Sequence, residues 1–221
     1  MNKYQVIALV GKAGAGKDTV QKATCSAHPL IFNPIVSCTT RPMREGEIQG
    51  IDYNFVSLEN FTRMVLNGDM LEATEFRGWF YGTPINSLSK DKINLGVFNP
   101  AGVEALLEDN RLDVLVIEVL TSDKTRLLRC LNREKNPDCA EICRRFMTDE
   151  KDFLALSEWE EFAVVGNEDG EDPDLLVKLE HRLEWFKSMW KNLESNTEFE
   201  TIMRWDQSMH TKAIDQEEGQ K

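Results

Sequence analysis

The chain has 221 residues, 29% charged and 41% hydrophobic, with a net charge of −12, which is enough for one α/β domain with a small lid and short for two full domains. Residues 1–150 carry 18 basic against 20 acidic side chains and the remaining 71 carry 8 against 18; so acidic a surface excludes binding along a nucleic-acid backbone, which draws on clustered cations. The first eleven residues hold one lysine and an apolar run that passes straight into glycines, so neither a secretory leader nor a membrane span of about 20 apolar residues is expected and the protein reads as soluble and cytoplasmic.

Taken along the chain, "YQVIALV" at 4–10 is short, apolar, rich in β-branched residues and closed by glycine, the pattern of a buried parallel strand. A helix is predicted from Lys17, with Val20 and Ala23 facing inward. "NPIVSCTT" at 33–40 reads as a second strand. Alternation through Tyr53, Phe55 and the stretch 71–80 predicts a small group of antiparallel strands, with a helix over 58–66 between them. Buried strand patterns return at 93–99, 113–120 and 162–167, separated by helical stretches. Leu175, Leu176, Leu179, Leu183, Phe186 and Trp190 recur at helical spacing, so 174–193 is predicted as a helix on the sheet, with Trp185 and Trp190 as packing groups. Beyond about residue 195 the pattern dissolves into an acidic, solvated tail. The five cysteines, Cys25, Cys38, Cys130, Cys139 and Cys143, lack CxxC spacing and are expected as reduced, mostly buried thiols.

Parallel strands alternating with helices predict an α/β fold with a parallel, doubly wound sheet and helices on both faces, whose ligands sit at the carboxyl ends of the strands. One such end carries "GKAGAGKD", a G-x-x-x-x-G-K loop between a predicted strand and a predicted helix. Gly11, Gly14 and Gly16 let the backbone bend and turn N–H groups inward around Ala15, the helix start adds partial positive charge, and Lys17 reaches the β- and γ-phosphates of a nucleoside triphosphate. Where such loops place a magnesium-binding hydroxyl after the lysine, this chain has Asp18, with Thr19 one residue late. Two readings stand: Asp18 is a carboxylate favoured by the helix dipole, or Asp18 and Thr19 hold Mg2+ directly or through water.

"SCTTRPMREGEIQGIDYNFV" from Ser37 and "GDMLEATEFRGWFYGT" to Thr83 resemble the guanylate kinase family, with S-x-T-T-R-x-x-R-x-x-E-x-x-G-x-D-Y-x-F-V followed by L-E and Y-G-T. With the glycine loop and a weaker match through the lid, the likeness covers residues 4–170. It implies a P-loop kinase fold with a core at 4–36, 93–132 and 151–195, a small mixed α/β monophosphate-binding subdomain at 37–92, a helical lid at 133–150, and an acidic tail at 196–221. The implied activity is phosphorylation of GMP or dGMP by ATP with Mg2+, in a monomer or homodimer that binds small-molecule nucleotides. Arg41 and Arg44, two guanidinium forks three residues apart, suit a monophosphate dianion, and Glu47 can hold those forks in place. The resemblance adds phenol donors from Tyr53 and Tyr81 in the segment closed by Gly82. It also makes Glu72 the carboxylate that accepts from guanine N1–H and N2–H₂, with Thr83 and Ser37 at further base contacts.

In "RLLRCLNREKNPDCAEICRRF" five arginines surround a proline-containing break, resembling the arginine-bearing lid of the family; Arg133 and Arg145 fit best as the pair that stabilises the moving phosphoryl group. Asn167 matches the family's asparagine near the ATP adenine. The likeness fails after the third core strand, where the family carries D-x-D-x-x-G and this chain has "VFNPAG", with Val97 and Asn99 in the carboxylate places. Asp18 is the carboxylate available to take over part of the metal-holding task. The spelling G-K-D-T is also similar to loops of bacteriophage deoxynucleoside monophosphate kinases. Two other functions fit the same sequence: a kinase for another or modified deoxynucleotide or a phosphorylated sugar, and a non-catalytic protein-binding module. The latter usually has a damaged glycine loop, whereas Lys17 and all three glycines are present here.

Overall fold

A computed structural model describes residues 3–44, 46–76, 78–133, 135–154 and 162–179. The expected helix beyond Leu179, with Trp185 and Trp190, and the acidic tail lie outside the described residues. The first of two compact units, Met1–Lys178, carries all the elements that follow.

The fold grows from β1 (Tyr4–Val10). Every residue from Val6 to Val10 is fully buried, because β1 is the middle strand of a five-stranded sheet ordered β2-β7-β1-β8-β9. Its neighbours are β7 (Ile93–Val97) and β8 (Leu112–Leu120), with β2 (Phe32–Pro34) and β9 (Phe162–Gly166) at the edges, and every pairing is parallel. On one face Val6, Ala8 and Val10 join Phe98, Leu112, Val116 and, from α3 (Pro100–Glu108), Val103 and Leu106 in one apolar cluster. On the other, α1 (Lys17–Ala27) packs over β1, β2 and β7. It buries Val20 and Thr24; Ala23, expected to face inward, is only half-buried.

The expected strand at 33–40 is two strands in two sheets. β2 ends at Pro34, Ile35 N–H gives a last bond to Leu95 O at 2.9 Å, and the chain crosses to a second sheet at β3 (Cys38–Thr39). That sheet has the order β4-β3-β6-β5, with β4 (Asn54–Phe55), β5 (Met70–Phe76) and β6 (Trp79–Pro84). β6 pairs antiparallel with β3 and β5, but β3 and β4 are parallel, so the sheet is mixed where an antiparallel group was expected. α2 (Leu58–Leu66) is capped by Ser57, whose hydroxyl accepts from Asn60 N–H, and drives Phe61 into the base of the sheet. α4 (Asp123–Asn132) and α5 (Cys139–Asp152) flank Pro137, and α6 (Leu175–Lys178) closes the described chain. Only Cys38 among the cysteines is buried; Cys139 and Cys143 are exposed on α5, against the expectation of mostly buried thiols. All five are free. No helix among the described residues is long and apolar enough to cross a membrane.

Candidate active site

The glycine loop leaves β1 at its carboxyl end and becomes α1 at Lys17. Gly14 and Gly16 have φ of 81° and 89°, conformations that a side chain rarely adopts. Space reinforces the choice: a Cβ on Gly14 would sit 2.5 Å from the Arg126 carbonyl oxygen, and one on Gly16 would run into the Asn167 amide. The amides of Gly14, Gly16 and Lys17 have no protein partner among the described residues, whereas Ala15 N–H donates to Lys12 O at 3.1 Å. The Lys17 ammonium folds back to donate to Gly11 O at 2.5 Å and to Lys12 O at 3.4 Å. Burial pushes its pKa down, against the raising effect of the Asp18 and Asp149 charges. Asp18 and Thr19 are both exposed in the first turn of α1.

Ala15 is sealed, and its carbonyl is held from three sides. Asn167 Nδ2 donates to it at 2.8 Å, Thr121 Oγ1 at 3.0 Å and Arg129 at 3.4 Å. Asn167 is 5% exposed, and its backbone carbonyl accepts from Arg129 and lies 3.0 Å from the same Thr121 hydroxyl. The residue matched to an adenine contact is therefore also a brace under the loop, and Thr121, which sequence reasoning passed over, belongs to that brace.

The second polar pocket is built across β5 and β6. Their register places Glu72 opposite Thr83, and Thr83 Oγ1 donates to Glu72 Oε1 at 2.7 Å while lying 3.0 Å from Ser37 Oγ. With the Thr83 proton on the carboxylate, Ser37 is the donor of the pair. Glu72 is half-buried, and burial raises its pKa against the lowering effect of Thr83. The start of α3 approaches the same carboxylate: a Cβ on Gly102 would lie 3.8 Å from Glu72 Cδ. Asn99, in the place expected for a carboxylate, caps α3 by accepting from Gly102 N–H at 2.7 Å. Gly82 serves packing, since a Cβ there would meet the Glu72 carbonyl at 2.7 Å.

Beside this pocket, Arg41 is 7% exposed and forked onto Glu47, with NH1 to Oε2 at 2.7 Å and NH2 to Oε1 at 2.5 Å. NH1 also donates to Pro42 O, and the guanidinium lies 5.0 Å from the Tyr53 ring and 5.3 Å from that of Phe55. Three of its five N–H donors are used, which leaves two. Glu47 further accepts from Arg44 N–H at 2.7 Å, so one carboxylate sets both the side chain of Arg41 and the backbone at Arg44. The Arg44 side chain is exposed. Tyr53 packs edge-on to Tyr81 at 6.1 Å. Burial pushes its pKa up to about 12, with Asp18 the next cause, so the phenol keeps a proton to donate. A bridge from Lys22 on α1 to Asp52 at 2.6 Å ties this segment to the helix that bears Lys17.

In the lid region the structure separates neighbouring arginines. Arg144 is spent on Glu141, whereas Arg145 is exposed and close enough to Lys17 to depress its pKa. Arg133 caps the end of α4 and is exposed. Asp149 and Glu150 contact the glycine loop itself, through Ala13 N–H and Lys12; no local pattern marks contacts so distant in sequence.

A glycine loop that leads from the end of the central strand into a helix, in a unit that also holds a carboxylate site and a cluster of arginine and phenol groups, defines an α/β protein of the phosphate-binding-loop class. The sequence profile of guanylate kinase matches residues 3–181, and the chain belongs to the guanylate kinase family. A guanylate kinase of Streptococcus mutans serotype c is 32% identical over 166 residues, 74% of this chain and 79% of that protein. A guanylate kinase of Enterococcus faecalis is 44% identical over 85 residues, 38% of this chain and 42% of that protein, so the latter match spans less than half of the relative's length. A crystal structure of guanylate kinase from Anaplasma phagocytophilum has a TM-score of 0.48 at 20% identity, covering 88% of this chain and 89% of that one.

Proposed function

We propose that the protein transfers the γ-phosphoryl group of ATP to the phosphate of GMP or dGMP, yielding ADP and the corresponding diphosphate. The observation that carries this reading is the hydrogen-bonded set Glu72, Thr83 and Ser37, placed in the same compact unit as the glycine loop. Guanine offers two adjacent donors, N1–H and N2–H₂, to a carboxylate; adenine offers no such pair, and a polar site left unmatched rejects the wrong base by orders of magnitude.

In this reading the glycine-loop amides and Lys17 hold the triphosphate. Arg44 and the remaining donors of Arg41 grip the monophosphate, with the Tyr53 and Tyr81 phenols completing its pocket. A monophosphate oxygen bonds to the γ-phosphorus as the bond from the γ-phosphorus to the β,γ-bridging oxygen breaks, and ADP leaves. The attacking oxygen is already largely anionic at neutral pH, so the step needs no side-chain base. Arg145, with Arg133 on the far side of the lid break, stabilises charge on the moving group.

The residues present suit Mg2+ held partly by phosphate oxygens: Asp18 is an exposed carboxylate beside Lys17 with Thr19 next to it, Val97 at the end of β7 has no side-chain oxygen to offer, and the described residues contain no group of three acidic, His or Cys side chains that would cage a metal alone. When bound, the ion neutralises charge on the β- and γ-phosphates. The test is ADP formation from ATP with a panel of GMP, dGMP, dTMP, dCMP and AMP, with Lys17→Ala as control. GMP or dGMP is expected to be the preferred acceptor and Lys17→Ala to abolish turnover; equal rates with AMP and GMP would refute the assignment.

A further inference from the structure

The helix bearing Arg145 is fastened to the crest of the glycine loop by a ring of polar contacts around one residue, Ala13. Ala13 N–H donates to Asp149 Oδ2 at 2.6 Å, and Ala13 O accepts from Arg126 Nε at 3.0 Å. Arg126 NH2 closes the ring on Asp149 at 3.4 Å, and NH1 is anchored by Asp123 at 2.6 Å. Arg126 is 1% exposed and lies 4.5 Å from the ring of Phe146, one turn before Asp149 on α5. The next residues on both sides pair as well, Lys12 with Glu150 at 2.6 Å. The dipeptide 149–150 of α5 thus grips the dipeptide 12–13 of the loop, while α4 meets the loop directly at Gly14 through the Arg126 carbonyl.

A carboxylate beside a triphosphate site repels the ligand unless its charge is neutralised. Asp149 is paired with the buried Arg126 guanidinium, which also holds Asp123, and Lys17 bonds to loop carbonyls, not to Asp149. That arrangement fits a brace, not an anion waiting to be displaced. With Ala13 tied down at both its N–H and its C=O, the loop has one crest geometry, and the amides of Gly14, Gly16 and Lys17 remain without partners among the described residues. Because Asp149 and Arg145 are four residues apart on one helix, the same ring registers Arg145 to the loop.

We propose that Arg126 and Asp149 are positioning residues for ATP: they pre-shape the phosphate loop and couple that shape to the helix carrying Arg145. The proposal rests on the kinase reading for the identity of the nucleotide, but its test does not need turnover. ADP binding is measured by calorimetry on the full chain, alongside KM for ATP and GMP. Loss of one charge-assisted bond to the loop is expected to weaken ADP binding of Asp149→Ala about tenfold and to raise KM for ATP similarly, with KM for GMP within about twofold of the parent. Asp149→Asn, whose amide oxygen still accepts from Ala13 N–H, is expected to recover most of this loss. The double variant Arg126→Leu/Asp149→Ala is expected to be no worse than the weaker single variant, because both changes open one ring. Should Asp149→Ala fail to fold, Asp149→Glu, which displaces the carboxylate by a methylene, takes its place with the same expected weakening. Unchanged or tighter ADP binding, parallel rises in both KM values, or an Asn variant as impaired as the Ala variant would overturn the proposal. If the parent converts no GMP, the kinase reading falls while the ADP titration still reads the ring.

Discussion

Replacing Glu72 with Gln separates binding from stability, because the structure predicts opposite signs for the two. Gln keeps the oxygen that accepts from Thr83 Oγ1, at 2.7 Å in the parent, and changes the side-chain volume little. Against guanine it offers one acceptor and one donor where two acceptors are needed, so one charge-assisted hydrogen bond is lost and a donor faces the base amine. The loss is about 3 kcal/mol, or about 100-fold in kcat/KM for GMP. Stability moves the other way. The raised pKa of Glu72 has burial as its leading cause, so the native protein holds that proton more tightly than the unfolded chain does. The destabilisation from its charge is therefore absent below the ordinary glutamic acid value of about 4.3, grows as pH rises through the raised native value, and is complete above it. Gln removes that term, so the variant is expected to melt no lower than the parent at about pH 8, with any gain shrinking toward about pH 5. Steady-state kinetics with GMP and AMP, with melting curves at the two pH values, test both halves. An unchanged KM and kcat for GMP, or a melting temperature lowered by more than about 3 °C at pH 8, roughly 1 kcal/mol for a domain of this size, would refute the reasoning.

Glu47→Ala removes both forked bonds to a nearly sealed Arg41; a loss of about 3 kcal/mol, or about 6–12 °C in melting temperature, is expected at pH 7, together with at least a tenfold rise in KM for GMP and an unchanged KM for ATP. Because its bond to Arg41 holds the Glu47 carboxyl below its ordinary value, the pair's contribution is present above the ordinary glutamate range and is lost as pH falls through the depressed value, so the parent and variant melting curves should converge in acid. Asp18→Ala is expected to raise the magnesium concentration needed for half-maximal rate more than it raises KM for ATP; an unchanged magnesium curve leaves Asp18 only its helix-dipole role.

What could be read from the sequence is what local pattern controls. β1 and α2 run over the residues predicted, because an unbroken β-branched run, a serine cap and a helical repeat each act within a few residues. The strand expected at 33–40 fails for a reason no local pattern holds: β2 ends at Pro34, and only the tertiary fold shows that Cys38 starts another strand in a different sheet. The pocket residues Glu72 and Thr83 were legible through their motif, but the contact between them is a consequence of strand register. Asp149 was invisible because its partner Ala13 lies 136 residues away and is a backbone amide, which leaves no mark on composition or spacing. Asn99 shows the converse: a position singled out for a missing carboxylate is occupied by a residue whose side chain caps a helix.

The distribution of paired and unpaired cations bears on the acidic charge of the chain. Arg41, Arg111, Arg126, Arg129 and Arg144 each bond a carboxylate, and Lys12 and Lys22 do so too. Among the described arginines, Arg44, Arg63, Arg133 and Arg145 have no such partner among the described residues. Three of these four are the residues that the motifs place around the phosphates. A cation already neutralised by a fixed carboxylate gives an incoming phosphate little net attraction, whereas an unpaired one gives its full Coulomb term. In a protein of net charge −12 long-range steering disfavours anionic nucleotides, so affinity has to arise at short range, from unpaired arginines and oriented amides held by paired ones. In the proposed reading Arg126 is a holding member, Arg41 both holds and, through its remaining donors, meets the ligand, and Arg44 and Arg145 are left for the ligand. It follows that raising ionic strength should weaken ATP binding only modestly, and a steep salt dependence would contradict this division of roles.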